Sequence, residues 1–225
     1  GLPGASPHTR GSAVAGNTEA GWDVRALVLD AGTAAANATV LDELERGSTS
    51  VLVDRAAIGI GSAADLAAVL DGVFLEMAPV ALVPGPDAAT AAGWLVELWE
   101  QLGTPVADRS GALGVDPIGV AARHGGDPDL STLAPAVASV ADAPGVHAIT
   151  VDATVWADAG ASEAWELACS LATGVAYLRA LEEDGISIDD ALGALTFTYS
   201  ADADQFRTVA RFRAPRRLWD RVAGS

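Results

Sequence analysis

The sequence has no lysine. All thirteen of its cationic side chains are arginine, set against thirty carboxylates, for a formal net charge of −17. A chain this acidic repels phosphate backbones at long range, so nucleic acid is not an expected partner. Without lysine the phosphate-cradling Gly-x-x-x-x-Gly-Lys loop cannot be built, and no Gly-x-Gly-x-x-Gly follows a predicted strand. The single cysteine, Cys169, lies in a helical pattern and reads as a small apolar side chain. One cysteine allows neither an intramolecular disulfide nor a thiolate metal site. The three histidines, His8, His124 and His147, are far apart and form no His-x-x-His or His-Glu-x-x-His pair, so a metal site is not expected. Uninterrupted apolar runs stay short of the roughly eighteen residues of a membrane span, and the first residues show no charged-then-apolar signal. The expectation is a cytoplasmic protein away from the membrane. The first residue is Gly1, which suggests a processed or excised piece.

What is present is a repeated alternation of strand and helix. Half of the 225 residues are apolar, which excludes disorder and allows one large domain or two small ones. The glycine- and proline-bearing stretch 1–21 reads as an extended arm. Strands are expected at 22–29, 50–53, 79–83, 112–115, 146–151 and 195–199. Helical patterns follow each of them, with Ser62-x-x-Asp65 and Ser187-x-x-Asp190 as capping boxes, Asp87 as an N-cap, and Gly47, Gly72 and Gly103 as stops. The last helix, 202–222, is expected to be interrupted at Pro215. Six such units about 30 residues apart predict a parallel α/β domain over 22–225 of the (β/α)8 barrel type, truncated after about six of its eight units. An open doubly wound sheet is the alternative.

The central unit runs from His147 to Leu181. A β-branched run ends on Asp152, and a loop to Ser162 precedes a long helix carrying Trp165, Leu171, Val175 and Leu181 at helical spacing. In parallel α/β folds this loop is where ligands are met. It holds Asp152, Asp158 and Trp156, with no His, Cys, Lys or Arg. Four predicted strands end on a carboxylate, at Asp30, Asp54, Asp116 and Asp152. Such a rim could hold a divalent cation or act as acid and base, or each Asp could satisfy the backbone donors of its own loop. Gly59-Ile60-Gly61 fits an anion-binding helix start or a tight turn equally. The C-terminal helix has Asp202 and Asp204 first and six arginines after them, which fits a dipole-matched surface helix or a docking surface for acid. Trp94, Trp99, Trp165 and Trp219 are candidate interface anchors or ordinary packing residues.

Several phrases, in order, carry a family likeness: GLPGASPHTRG, GWDVRALVL, AANATVLDELERGSTSVLV, DATVWADAGASEAWELACSLATGVAYLRAL and YSADADQFRTVARFRAPRRLW. The chain resembles adenosylcobalamin-dependent methylmalonyl-CoA mutase over nearly its whole length, and the small, non-catalytic subunit of the bacterial heterodimeric enzyme more than the catalytic one. Its Ala-rich, Arg-only composition suggests an actinobacterial source. The resemblance implies a substrate-binding barrel, with a separate cobalamin-binding domain that is not part of this sequence. It places Arg10 where the catalytic subunit meets the CoA phosphates, as a vestigial contact to a CoA ester. It places Asn17 at the family's active-site Tyr and Val155 at its substrate-contacting His, so no catalytic residue is expected. No Asp-x-His-x-x-Gly cobalamin signature occurs, so this chain is expected to bind no cofactor, with adenosylcobalamin held by a catalytic large subunit as heterodimer partner. The alternative function is an active enzyme: a working mutase, or a metal-assisted barrel using Asp30, Asp54, Asp116 and Asp152.

Overall fold

A computed structural model describes residues 4–7 and 23–224. The expected arm 1–21, with Arg10 and Asn17, lies outside the described residues except for 4–7. In chain order the first half runs β1 (Arg25–Val28), α1 (Thr33–Glu45), β2 (Ser50–Val53), α2 (Arg55–Ile58), α3 (Ala63–Val69), β3 (Val80–Leu82), α4 (Ala88–Gln101) and β4 (Ser110–Val115). The second half runs α5 (Pro117–His124), α6 (Leu133–Ser139), β5 (Gly145–Asp152), α7 (Thr154–Asp158), α8 (Glu163–Glu183), α9 (Ile188–Ala194), β6 (Leu195–Thr198) and α10 (Gln205–Ala223).

The six strands form one sheet in the order β1-β2-β3-β4-β5-β6. Pairing from β1 through β5 is parallel, with Val28 opposite Val53, Val53 opposite Leu82, Ala81 opposite Ala112 and Ala112 opposite His147. Strand order follows chain order without reversal, so the sheet has no switch point of the doubly wound kind. The sheet is open: it does not close on itself.

The chain divides into two compact units, Asp23–Thr150 with Ala180–Thr196, and Val151–Arg179 with Phe197–Ser225. In the first, Val28, Val51, Val53, Leu66, Val80, Leu95, Trp99, Leu113 and Leu133 are buried between strands and helices. These continuous apolar strands are what a sheet covered on both faces requires. In the second, Val151, Val155, Tyr177 and Leu178 are buried, and Phe197, Tyr199, Phe212 and Trp219 pack ring against ring.

Glycine decides β4. Gly111 (φ 136°) and Gly114 (φ 73°) lie so close to β3 that a Cβ would fall 1.8 Å from the Val80 carbonyl oxygen and 2.3 Å from that of Leu82. The register slips between Ala112 and Val115, as at a bulge. The strand therefore starts two residues before the expected 112, because its glycines dilute the apolar signal.

The caps are mixed. Ser62 and Ser187 accept the amides of Asp65 and Asp190 as a capping box requires, and the Asp65 carboxylate also accepts from the Gly61 amide. Asp87 occupies the N-cap of α4 at φ 60° and makes no side-chain cap bond. The interruption expected at Pro215 does not occur: α10 continues through it. Proline removes one i→i−4 bond, the one to the Arg211 carbonyl, and crowds the carbonyls before it; next to it Arg216 Nη1 donates to the Phe212 carbonyl at 3.1 Å.

Candidate functional site

The carboxyl ends of the strands are where a ligand would be met, and their carboxylates are engaged locally. Asp54 caps α2 by accepting from the Ala57 amide at 3.0 Å. Asp116, almost wholly buried, caps α5 by accepting from the Gly119 amide at 3.0 Å. A Cβ on Gly119 would fall 2.1 Å from the Asp116 carboxylate, so the absence of a side chain there is part of the cap. Asp152 Oδ1 accepts from the Thr154 amide and from its hydroxyl, at 3.0 and 2.6 Å. Asp30 is exposed after β1. Among the described residues no group of three or more His, Cys, Asp or Glu is placed to hold a metal ion. The loop-capping reading of these strand ends therefore accounts for Asp54, Asp116 and Asp152, and the metal-assisted alternative finds no ligand set here.

The stretch 152–162, expected as loop, contains the short helix α7, started by the turn that Asp152 makes with Thr154. Val155, which the resemblance set at a His position, lies on α7, is 8% exposed and presents a buried alkyl group. A valine can neither donate a hydrogen bond nor exchange a proton.

At the ends of β3 and β4 is an open cleft of about 380 Å³ whose charged lining is Asp87, Asp116, Asp127 and Asp129. With carboxylates and no cationic side chain in its wall, this cleft disfavours a phosphate-bearing ligand. His124 sits in the last turn of α5, and His147 donates from Nδ1 to the Gly193 carbonyl at 3.1 Å.

The strongest electrostatic feature was not visible in the sequence. In the second unit Arg211 of α10 is buried, with its side chain 7% exposed, beside Glu166, which is 1% exposed. Arg211 Nη1 donates to the carbonyl and hydroxyl of Ser200 at 2.9 and 2.6 Å, and Nη2 donates to Glu163 and Asp202 at 3.2 and 3.3 Å. Its Nε faces Glu166 at 3.6 Å, an ion pair without a hydrogen bond. Glu166 in turn accepts from the amide and hydroxyl of Ser200, both at 2.9 Å. Arg207 pairs with Glu163 as well. Glu163 is held below the usual carboxyl range, first by its own amide and then by the two arginines. Asp202 is held down by the Asp204 amide first, then by Thr208 and the arginines. Burial pushes the Tyr199 phenol up, the Glu166 charge adding to it, while Ser170 shares a 2.9 Å hydrogen bond with the phenol. The cluster ties α8, the turn after β6 and α10 together. Its only advance signal was opposite charge at helical spacing, Glu163 and Glu166 on one segment, Arg207 and Arg211 on another.

Of the four tryptophans considered as interface anchors, Trp99 is wholly buried in the first unit and cannot reach a partner. Trp94 is half-buried under Arg55, whose guanidinium carbon lies 5.9 Å from the ring centre. Trp219 packs edge-on against Phe197, and Trp165 is 68% exposed.

The sequence matches the methylmalonyl-CoA mutase family over residues 51–225. Over 99% of its length it is 46% identical to a methylmalonyl-CoA mutase small subunit of Streptomyces virginiae and 41% identical to one of Propionibacterium freudenreichii subsp. shermanii, covering 36% and 35% of those proteins. It is also 37% identical, over 35% of its length and 11% of the other protein's, to a methylmalonyl-CoA mutase large subunit of Streptomyces virginiae. The chain thus spans about a third of the length of the curated relatives it matches. No described helix is long and apolar enough to cross a membrane. By the extent of these matches, the chain belongs to the methylmalonyl-CoA mutase family.

Proposed function

We propose that this chain is the barrel portion of a small, non-catalytic mutase subunit, and that it stabilises the large subunit that interconverts (R)-methylmalonyl-CoA and succinyl-CoA. Val155 carries this reading: the place of the family's substrate-contacting His holds a buried valine, while the strand-end carboxylates that could have replaced it serve as caps. A fold kept with its reactive side chains lost is what remains when a site has been given up, since function resides in the site. The six strands, in chain order and parallel from β1 through β5, are in this reading six of the eight strands of a barrel whose domain spans 22–225, with 1–21 as an arm and Arg10 as a remnant of a CoA ester contact. The subunit is cytoplasmic in this reading.

The residues present do not fit adenosylcobalamin. Neither His124 nor His147 stands in an Asp-x-His-x-x-Gly sequence, and the Nδ1 of His147 is engaged by Gly193. In this reading the large subunit carries the cofactor. The test is co-expression of the full-length parent with a large subunit, followed by co-purification and mutase assays with each subunit omitted. The expected result is a heterodimer whose turnover needs the large subunit; turnover by the parent alone, or failure to bind any large subunit, overturns the reading.

A further inference from the structure

We propose that the outward face of α10 is a docking groove for an acidic amphipathic helix of a partner protein, a reading that stands on this helix and not on the mutase assignment. Arg213, Arg217 and Arg221, spaced four residues apart, line a shallow groove of about 420 Å³ together with Ala214 and Leu218. All three arginines are exposed, and Leu218 is 36% exposed. Residues four apart on a helix rise about 6 Å along its axis. A second helix with carboxylates four residues apart repeats that rise, so three ion pairs form in register while Ala214 and Leu218 give its apolar residues a floor.

Two alternatives for these arginines fail. The helix dipole favours cations only in the last turn, and of the three only Arg221 is there. Among the described residues, internal pairing uses other arginines: the ion pairs from α10 arginines run from Arg207 and Arg211 to Glu163, Glu166 and Asp202. The charge is also concentrated: α10 holds six of the thirteen arginines and one of the thirty carboxylates of a chain of net charge −17. A partner must bring acid to this strip, and a polynucleotide would have to do so against the field of the whole chain.

The probe is a synthetic fluorescein-labelled helix with Glu at every fourth position and Leu beside each Glu, titrated with the 225-residue chain and followed by anisotropy. Saturable binding is expected, weakened about tenfold between roughly 50 and 300 mM NaCl. It is expected to be lost in R213E/R217E/R221E, and reduced in Leu218→Asp and in the milder R213Q/R217Q/R221Q. Arg46→Glu, at the C-cap of α1, should leave it unchanged, and circular dichroism checks that each variant is folded. Equal binding by the triple reversal, or no saturable binding, overturns the proposal. Tighter binding of a single-stranded oligonucleotide of equal charge overturns it in favour of nucleic acid. A dimer that the triple reversal dissociates in sedimentation overturns it in favour of a second copy.

Discussion

Replacing Arg211 by Met keeps an unbranched apolar stem and removes the guanidinium and its charge. Glu166, 1% exposed, would then be a buried carboxylate without a cation. Breaking a buried pair from one side costs about 3–5 kcal/mol, because the remaining charge has lost its solvent and its partner. Glu166 keeps two hydrogen bonds from Ser200, which places the expected loss near the lower end, about 3 kcal/mol. For a chain of this size that corresponds to a fall in Tm of about 6–12 °C, a large fraction of a total stability of about 5–15 kcal/mol. Urea unfolding followed by circular dichroism and tryptophan fluorescence measures it. The double variant Arg211→Met with Glu166→Gln separates charge from packing: Gln keeps an acceptor for the Ser200 amide but carries no charge, so it should recover most of the loss. If Arg211→Met stays within about 1 kcal/mol of the parent, or the double variant is weaker than Arg211→Met alone, the cluster does not hold α10 in the way its geometry indicates.

The same cluster sets an acid limit. Glu163 and Asp202 have folded pKa values below their ordinary 4.5 and 3.8, so their contribution is complete above those values and is lost as pH falls through the lowered ones. Thermal unfolding should show this acid limb, and Glu163→Gln should flatten it. Thr150 is buried with its hydroxyl unpartnered, so Thr150→Val, equal in shape, should stabilise by about 1 kcal/mol in urea unfolding. Gly114→Ala should cost more than about 3 kcal/mol, or prevent folding, because its Cβ would meet the Leu82 carbonyl; wild-type stability would show that β3 and β4 approach less closely.

How much of this was legible depended on the range over which each feature is encoded. Strand β2 and helices α1, α4 and α8 were readable within a residue or two at their ends, because each announces itself by local apolar period and a stop or cap. Gly103 at φ 69° ends its helix as glycine should. Strand β4 was readable only in part, since Gly111 and Gly114 are required by the neighbouring strand and carry no apolar signal of their own. Helix α7 was missed because five residues cannot display a period, whereas Asp87 was readable as the N-cap of α4, although its position there comes without a side-chain cap bond. Pro215 misled, because it is buried and the packing of α10 outweighs the one backbone bond it removes.

The site was legible by a different route. Asp54, Asp116 and Asp152 could be read from the sequence alone as a catalytic rim or as three unrelated caps, and only distances decide: each accepts from an amide two or three residues ahead in its own loop. The Arg211 cluster is the converse case. Glu163 and Arg211 are 48 residues apart, and nothing local in either segment says that one will neutralise the other in a buried place. Both cases turn on the same physics. A carboxylate at a strand end has backbone donors within reach and needs no distant partner, whereas a guanidinium taken out of water must be met by acceptors from wherever the fold supplies them. Acid near a turn was therefore weak grounds for chemistry in this chain, while the arginines of α10, six in nineteen residues, carried long-range information: two, buried Arg211 and exposed Arg207, pair with Glu163 to hold the helix, and three face outward along a groove that their charge and spacing fit for acid.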